Sequence, residues 1–507
     1  MQGTSQAADA ATEPAPDGAA ALALQSRIDE LGRQLAETRA RPMRTFAEYL
    51  QFRILGRLSR MAPPLPVAMA ARFGRSAQKR DPYRGAIGAT GAIGAIGSMG
   101  AAVADHARGY RIAGRVTPDP TRGNVLIVAH EASRTGAPIL ALNLVEHLSK
   151  RYNVTVLTLR GGPCVPDFVQ SAVEVWRGDD LALERPDRVV EQICAATRFS
   201  FAIVNSAESS GTLGALRRAA VPTVTLVHEF VLLYRSAPFL ERIATLSDEI
   251  VFSSEVTRGS ALAEHSAFAE ASLHVIAQGK CRVPVNPEAS DTDLRQESEL
   301  RQALRPPGPR AFVVLGAGSV NLRKGVDLFI ETARKVLTSP DGQAARFFWI
   351  GGGYDPQFDV AYSVYLRDQL VRAGIADRVT FLPATPFIET AYAEADALVL
   401  SSRLDPLPNV GLDAIAAGLP VLCFDRATGL AEQLDAAGLR ASCIADYLDC
   451  GDMAAKIVAL ASDPALRAGV SAQLRGYAAA HLDFADYAGR IEAVGLRAAV
   501  RASDGRR

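Results

Sequence analysis

The run VLSSRLDPLPNVGLDAIAAGLPVLCF at residues 399–424 leaves few folds open. Its two apolar ends are short and rich in branched residues, as expected of strands buried on both faces. Between them lie a loop stiffened by Pro406 and Pro408, a helical stretch, and a small turn at Gly418. Strand, loop, helix and strand in that order make a βαβ unit of a parallel sheet. Asn409 reads as the N-cap of the helix. Asp405 ends the first strand, and Asp413 follows eight positions later, about one turn inside the helix. A helix N-terminus at a sheet edge offers free N–H groups and a positive dipole end to an anion. Carboxylates flanking such a site would repel phosphate but suit the hydroxyls of a ribose or a sugar. An ordinary βαβ unit with surface acids satisfies the same spacing.

At 507 residues the chain has room for two domains and an extension. It is 48% hydrophobic and its charges cancel, which gives no reason to expect a nucleic-acid partner. Cys164, Cys194, Cys281, Cys423, Cys443 and Cys450 show no C-x2-C spacing, so neither a zinc site nor a disulfide framework is expected. The first twenty residues lack a basic start and a bulky apolar core, and a cytoplasmic location is expected.

Residues 1–120 form an extension of different material. Its first twenty residues are poor in bulky apolar groups and read as disordered. Leu24, Ile28, Leu31 and Leu35 give residues 22–38 a seam of about two heptads, suited to weak self-association or to a helix docked on the protein's own surface. Residues 41–84 hold ten Lys or Arg against two acids, with Phe46, Leu50, Ile54 and Leu58 at steps of four. Such a segment suits an anionic membrane surface, or packs its apolar stripe on the catalytic body. From Gly85 to Gly100 every third residue is glycine. The uncharged run is long enough for a membrane span, but its glycine content argues for a linker.

A first Rossmann-like domain is expected over 121–290 and a second over 291–480, followed by a crossover helix and tail at 481–507. VLIVAH (125–130) opens the first as a buried strand, and EASRTGAP leads into a helix. The absence of G-x-G-x-x-G there argues against a dinucleotide site. VTVLTL, FAIVNS, VTLVHE and EIVFSS supply further strands. His228 ends one of them, where open α/β sheets bind ligands, while a structural role is the commoner fate of a lone histidine. Glu229 beside it should point elsewhere on an extended chain. AFVVLGAG (311–318) opens the second domain, and Arg323 and Lys324 precede the helix VDLFIETARKVL.

The D-x7-D pair followed by AIAAGLPVLCFD resembles the E-x7-E block of family 4 glycosyltransferases. These are retaining enzymes of the GT-B fold, in which two Rossmann-like domains face a cleft. The resemblance covers about Asn124 to Ala480. It implies that Asp405 contacts the donor sugar, that the amides of Asn409 and Val410 cradle the diphosphate, and that Asp413 holds the ribose. Lys324 and Gly325 match the family's Lys-Gly, whose lysine binds the diphosphate. Thr135 and Gly136 match its glycine-containing cleft loop, and His228 its strand-end histidine near the reaction centre. RATGLAEQL (426–434) matches its Gly…Glu loop, and the loop after VTFLPAT (379–385) its base site. Both acids are Asp where the family has Glu. Gly318 and Ser319 stand where it has an arginine, and Arg323 is the available substitute.

The resemblance implies transfer of a hexose-type sugar from a nucleotide-diphosphate donor, with retention, to a glycan or lipid-linked acceptor. His228, Asp405 and Lys324 would carry the chemistry. No metal or other cofactor is expected, since no D-x-D motif sits at a strand end and Lys324 with the helix amides supplies the positive charge. Envelope polysaccharide biosynthesis on the inner membrane face is the setting this suggests. A nucleotide-sugar 2-epimerase and a weak or inactive scaffold of the same fold are the alternatives.

Overall fold

The computed structural model describes residues 109–178, 185–233, 239–284 and 291–504. The readings made for 22–38, 41–84 and the glycine repeat lie outside the described residues. Among the described residues no helix is long and apolar enough to cross a membrane.

Two parallel sheets organise the rest. The first contains β1 (Gly109–Ala113), β2 (Asn124–Ala129), β3 (Asn153–Thr158), β4 (Glu174–Gly178), β5 (Phe201–Asn205), β6 (Thr223–Val227), β7 (Glu249–Phe252) and β8 (Leu273–Val275). Their order is β1-β4-β3-β2-β5-β6-β7-β8, parallel throughout except for β1 against β4. The second contains β9 (Val313–Ala317), β10 (Arg346–Ile350), β11 (Val379–Leu382), β12 (Ala397–Leu400), β13 (Val421–Phe424) and β14 (Ile444–Ala445). Its order is β11-β10-β9-β12-β13-β14, all parallel.

The apolar runs behave as helix-covered strands must. Along β2, Val125, Ile127 and Ala129 enter one core and Leu126 and Val128 the other, because successive side chains leave opposite faces. The first of these cores also takes α1 (Gly136–Leu148) and the last helix. Some of the strands that the sequence reading passed over are weak in pattern. β14 is two residues long, and β8 is three residues, all half-buried. β1 lies before the expected start of the domain at residue 121 and is held to β4 partly by the Arg111–Glu174 ion pair.

The chain crosses between the sheets twice at neighbouring places. Residues 276–284 leave the first sheet, and residues 482–484 return, with Lys280 N donating to Leu482 O at 2.9 Å. The final helix, Phe484–Asp504, then lies on the first sheet. Its Tyr487, Ala488, Ile491 and Val494 complete that core, and Tyr152 donates to Glu492 Oε1 at 2.8 Å. Gly495 is required here by close approach. A Cβ added to it would stand 2.6 Å from the Phe201 ring. Gly495→Val is therefore expected to lower first-domain stability by about 1–3 kcal/mol through overpacking. Urea unfolding followed in the first domain checks this, and an unchanged midpoint would show that the helix does not rest on β5.

Candidate functional site

In each sheet the strand order reverses about one strand: β2 lies between β3 and β5, and β9 between β10 and β12. Open α/β sheets bind ligands in the crevice beyond the carboxyl ends of the strands at such a switch point. Loops from both domains meet there. A Cβ on Gly136, the first residue of α1, would lie 3.5 Å from Asn409 Nδ2. Gly429 approaches so closely that a Cβ would stand 2.3 Å from Ser254 Cβ. Glu432, three residues on, accepts from Glu255 N (2.9 Å) and Val256 N (2.8 Å), the first two amides of helix α2 (Glu255–Glu264). A second-domain carboxylate thus caps a first-domain helix.

The loops after β9 and β12 are knitted together. Arg403 N donates to Arg323 O (2.8 Å) and Ser401 Oγ to Lys324 O (3.2 Å). Arg403 also grips both carboxylate oxygens of Asp327, at 2.9 and 2.7 Å, in the first turn of helix α3 (Val326–Thr338). Gly325 joins loop to helix in the left-handed region (φ 66°), and a Cβ there would stand 1.9 Å from Ser401 O. Within this frame Asp405 is 5% exposed. Its Oδ2 accepts from Lys324 Nζ (2.5 Å) and Ser402 Oγ (3.1 Å), and its Oδ1 from Arg323 Nη1 (3.3 Å). Burial opposes its ionisation, but the Lys324 and Arg323 charges outweigh that and hold it below the usual carboxylate range. Arg323 does come to the side of Lys324, where the sequence lacked the family's upstream arginine.

Helix α4 (Asn409–Ala417) corrects one expectation. Its N-cap is Pro408, not Asn409. The Asn409 side chain instead accepts from Gln278 Nε2 of the interdomain crossing. Pro408 O takes the amides of Gly411 (2.9 Å) and Leu412 (3.3 Å), and the amides of Asn409 and Val410 stand ahead of the helical ladder. Asp413 is half-buried one turn in. Burial pushes its carboxyl up to about 6, with Lys280 opposing and Glu389 adding to the shift.

On the first-domain side, Asn205 Nδ2 donates to Ala137 O (2.8 Å), so its Oδ1 faces His228 Nε2 (2.7 Å) and the ring proton sits on Nε2. Burial and the neighbouring His130 depress His228 to about 4, leaving Nδ1 with a free lone pair at neutral pH. The Glu229 carboxylate accepts from Ser206 Oγ (2.5 Å), Ala207 N (3.2 Å) and His228 N (2.9 Å). Asn205, His130, Ser402, Gln278 and Arg403 were not foreseen as site residues. Asn205 and His130 lie at the ends of β5 and β2, where the strand-end rule that singled out His228 would have found them. Nothing local marks Gln278.

Asp413 also generates a linkage. Its pKa is raised on folding, so it adds stability below its ordinary value near 3.8 and loses that contribution as pH rises through about 6. Asp413→Asn should therefore stabilise the protein at pH 8, by about 1–2 kcal/mol after allowance for solvent screening, and give no gain at pH 3.5. Thermal unfolding at the two pH values checks it, and a loss of stability at pH 8 would refute the burial cost.

Residues 311–463 match the family model described as Glycosyl transferases group 1. The lipopolysaccharide core biosynthesis glycosyltransferase LpsD of Rhizobium meliloti is 32% identical over 172 residues, 32% of this chain and 43% of that protein. Mannosylfructose-phosphate synthase of Agrobacterium fabrum is 30% identical over 112 residues, 22% of this chain and 24% of that protein. The matched segments thus span less than half the length of these curated relatives. Among solved structures, HepE of Anabaena in complex with UDP superposes with TM-score 0.58 at 17% identity, covering 73% of this chain and 99% of that one. Sucrose-phosphate synthase of Thermosynechococcus elongatus gives 0.58 at 17% identity, over 74% and 98%. The chain has the GT-B fold, and its second domain matches the glycosyl transferases group 1 model.

Proposed function

We propose that the protein is a retaining glycosyltransferase of the family 4 type, moving a hexose-type sugar from a nucleotide-diphosphate donor to a glycan or lipid-linked acceptor. The observation that carries this reading is that Arg323 and Lys324 meet on Asp405, on the loop that leads into helix α4, whose Asn409 and Val410 amides stand free at its start and whose Asp413 follows one turn on. Two cations and a helix N-terminus suit a diphosphate. An acid farther along the same helix suits ribose hydroxyls. The donor site is complete without a metal, because Lys324, Arg323 and the amides meet the developing charge. HepE is seen with UDP and UDP-glucose, which supports a nucleotide sugar as donor. LpsD acts in lipopolysaccharide core biosynthesis, which supports an envelope glycan as acceptor.

When the bond from sugar to diphosphate breaks, charge grows on the leaving phosphate. Lys324 and the amides of Asn409 and Val410 meet it in a cleft from which closure excludes water. His228 lies on the opposite wall with its Nδ1 lone pair available to the reaction centre, and Gly136 lets α1 approach the donor. The acceptor enters on the first-domain side. Binding of UDP, GDP and ADP sugars, read by thermal shift, is the first test of the whole reading. Donor hydrolysis without acceptor is the second, and donor binding with neither hydrolysis nor transfer would favour a scaffold.

Lys324→Ala should lower kcat about a hundredfold, as for loss of one preorganised donor at a developing anion. Asp413→Ala should act mainly on KM, since the ribose does not change charge in the reaction. Wild-type kcat in Lys324→Ala at saturating donor would remove Lys324 from the diphosphate. We further propose that residues 41–84 hold the protein to anionic membrane on its cytoplasmic face, with 22–38 available for self-association. Because β1 begins at Gly109, deletion of residues 1–106 leaves the sheet whole. The shortened protein should lose salt-sensitive binding to phosphatidylserine vesicles and keep donor binding. Equal vesicle binding by both forms would rule the membrane role out.

A further inference from the structure

We propose that Asp405 is the resting counter-ion of the diphosphate clamp and not a ligand of the donor sugar. The inference rests on the donor-site reading above and assigns one residue within it a different task from the one the resemblance implies. The carboxylate's contacts all run into the protein. Oδ1 takes Arg323, and Oδ2 takes Lys324 and Ser402. The residue is 5% exposed, so little of it is presented to the cleft. Its backbone is fixed as well. Asp405 N donates to Ala427 O at 2.9 Å, and Asp405 forms a parallel bridge with Thr428. Its short arm, one methylene less than a glutamate's, keeps the charge back among the cations.

Two cations meet on one carboxylate where a diphosphate would take both. At rest the site holds a single uncompensated positive charge, which lowers the cost of burying the pair while the cleft is empty. On donor entry Lys324 transfers from carboxylate to phosphate. The lysine has space for this. Gly318 has φ 133°, and a Cβ there would stand 3.1 Å from Lys324 Cε, so the glycine leaves the lysine stem free. Arg323 stays anchored through Leu404 O at 2.8 Å. After reaction Asp405 competes with the nucleoside diphosphate for the lysine and so speeds its release.

Titration calorimetry of the full chain with UDP, GDP and ADP, and with the nucleotide sugar of whichever binds, separates the two roles. Asp405→Asn keeps an oxygen for Lys324 and removes the charge. It should bind the nucleoside diphosphate at least tenfold more tightly, bind the nucleotide sugar more tightly by the same factor, and show steeper salt dependence. Product inhibition should strengthen in parallel. A variant whose nucleoside-diphosphate affinity is unchanged or weaker, with or without a loss confined to the nucleotide sugar, overturns the proposal. If Asp405→Asn does not fold, the neutral pair Lys324→Met/Asp405→Asn is compared with Lys324→Met alone. The pair must bind the nucleoside diphosphate at least threefold more tightly, and equal or weaker binding overturns the proposal by the second route. Wild-type protein that binds none of the three nucleotides sinks the donor reading and this inference together. Wild-type that binds while the variants gain nothing sinks the inference alone.

Discussion

Burying a carboxylate with two cations is favourable only when the geometry is fixed and the remaining polar groups are satisfied. Around Asp405 the second domain meets that condition by joining loops that are 81 positions apart in the chain. Arg403 ties the clamp loop to helix α3, Ser401 ties it to β12, and Gly325 lets the two backbones touch. Removing Asp405 would leave Arg323 and Lys324 without their common counter-charge. Arg323 and Lys324 are therefore held against the loop that leads into helix α4.

The first domain completes the crevice by a different kind of contact. Several of its polar groups at the cleft are directed by others. Asn205 sets the tautomer of His228 through its own bond to Ala137, and Glu229 is drawn back onto Ser206 and Ala207. Across the gap, Glu432 satisfies amides that helix α2 cannot satisfy alone, and Gln278 takes the side chain of Asn409. The cleft walls are thus fixed by hydrogen bonds between domains as well as within them.

The fold was legible where strands are buried on both faces, because parallel strands between helices are apolar at every position. The run at 399–424 is the plainest case, and the strands expected at 125–130 and 311–318 appear as β2 and β9. Short or edge strands such as β14 and β1 carry too few residues, or too polar ones, to show a period. At the site, sequence reasoning placed Lys324 before helix α3, Asp413 one turn into helix α4 and His228 past β6, but Asp405, expected to end a strand, stands on the loop beyond Leu400, where β12 ends. It did not give the partners of those side chains. The capping preference of Asn409 lost to a tertiary hydrogen bond from Gln278, and local propensity has no term for that. The pairing of Asp405 with Arg323 and Lys324 depends on how two loops pack, which no spacing within either loop encodes.

The two crossings of the chain have a mechanical meaning. Residues 276–284 and 482–484 run side by side and are bonded to each other through Lys280 and Leu482. Two adjacent covalent links restrict two bodies to turning about the line that passes through both, as a pair of pins fixes a door. Asn409 is bonded to Gln278 within the first crossing, so the start of helix α4 sits beside these links. Glu432 and Gly429 bear on the far domain through α2 and Ser254, outside the crossings. A turn about that line would carry the Glu432 cap through a longer arc than the start of helix α4, as the free edge of a door outruns its hinge.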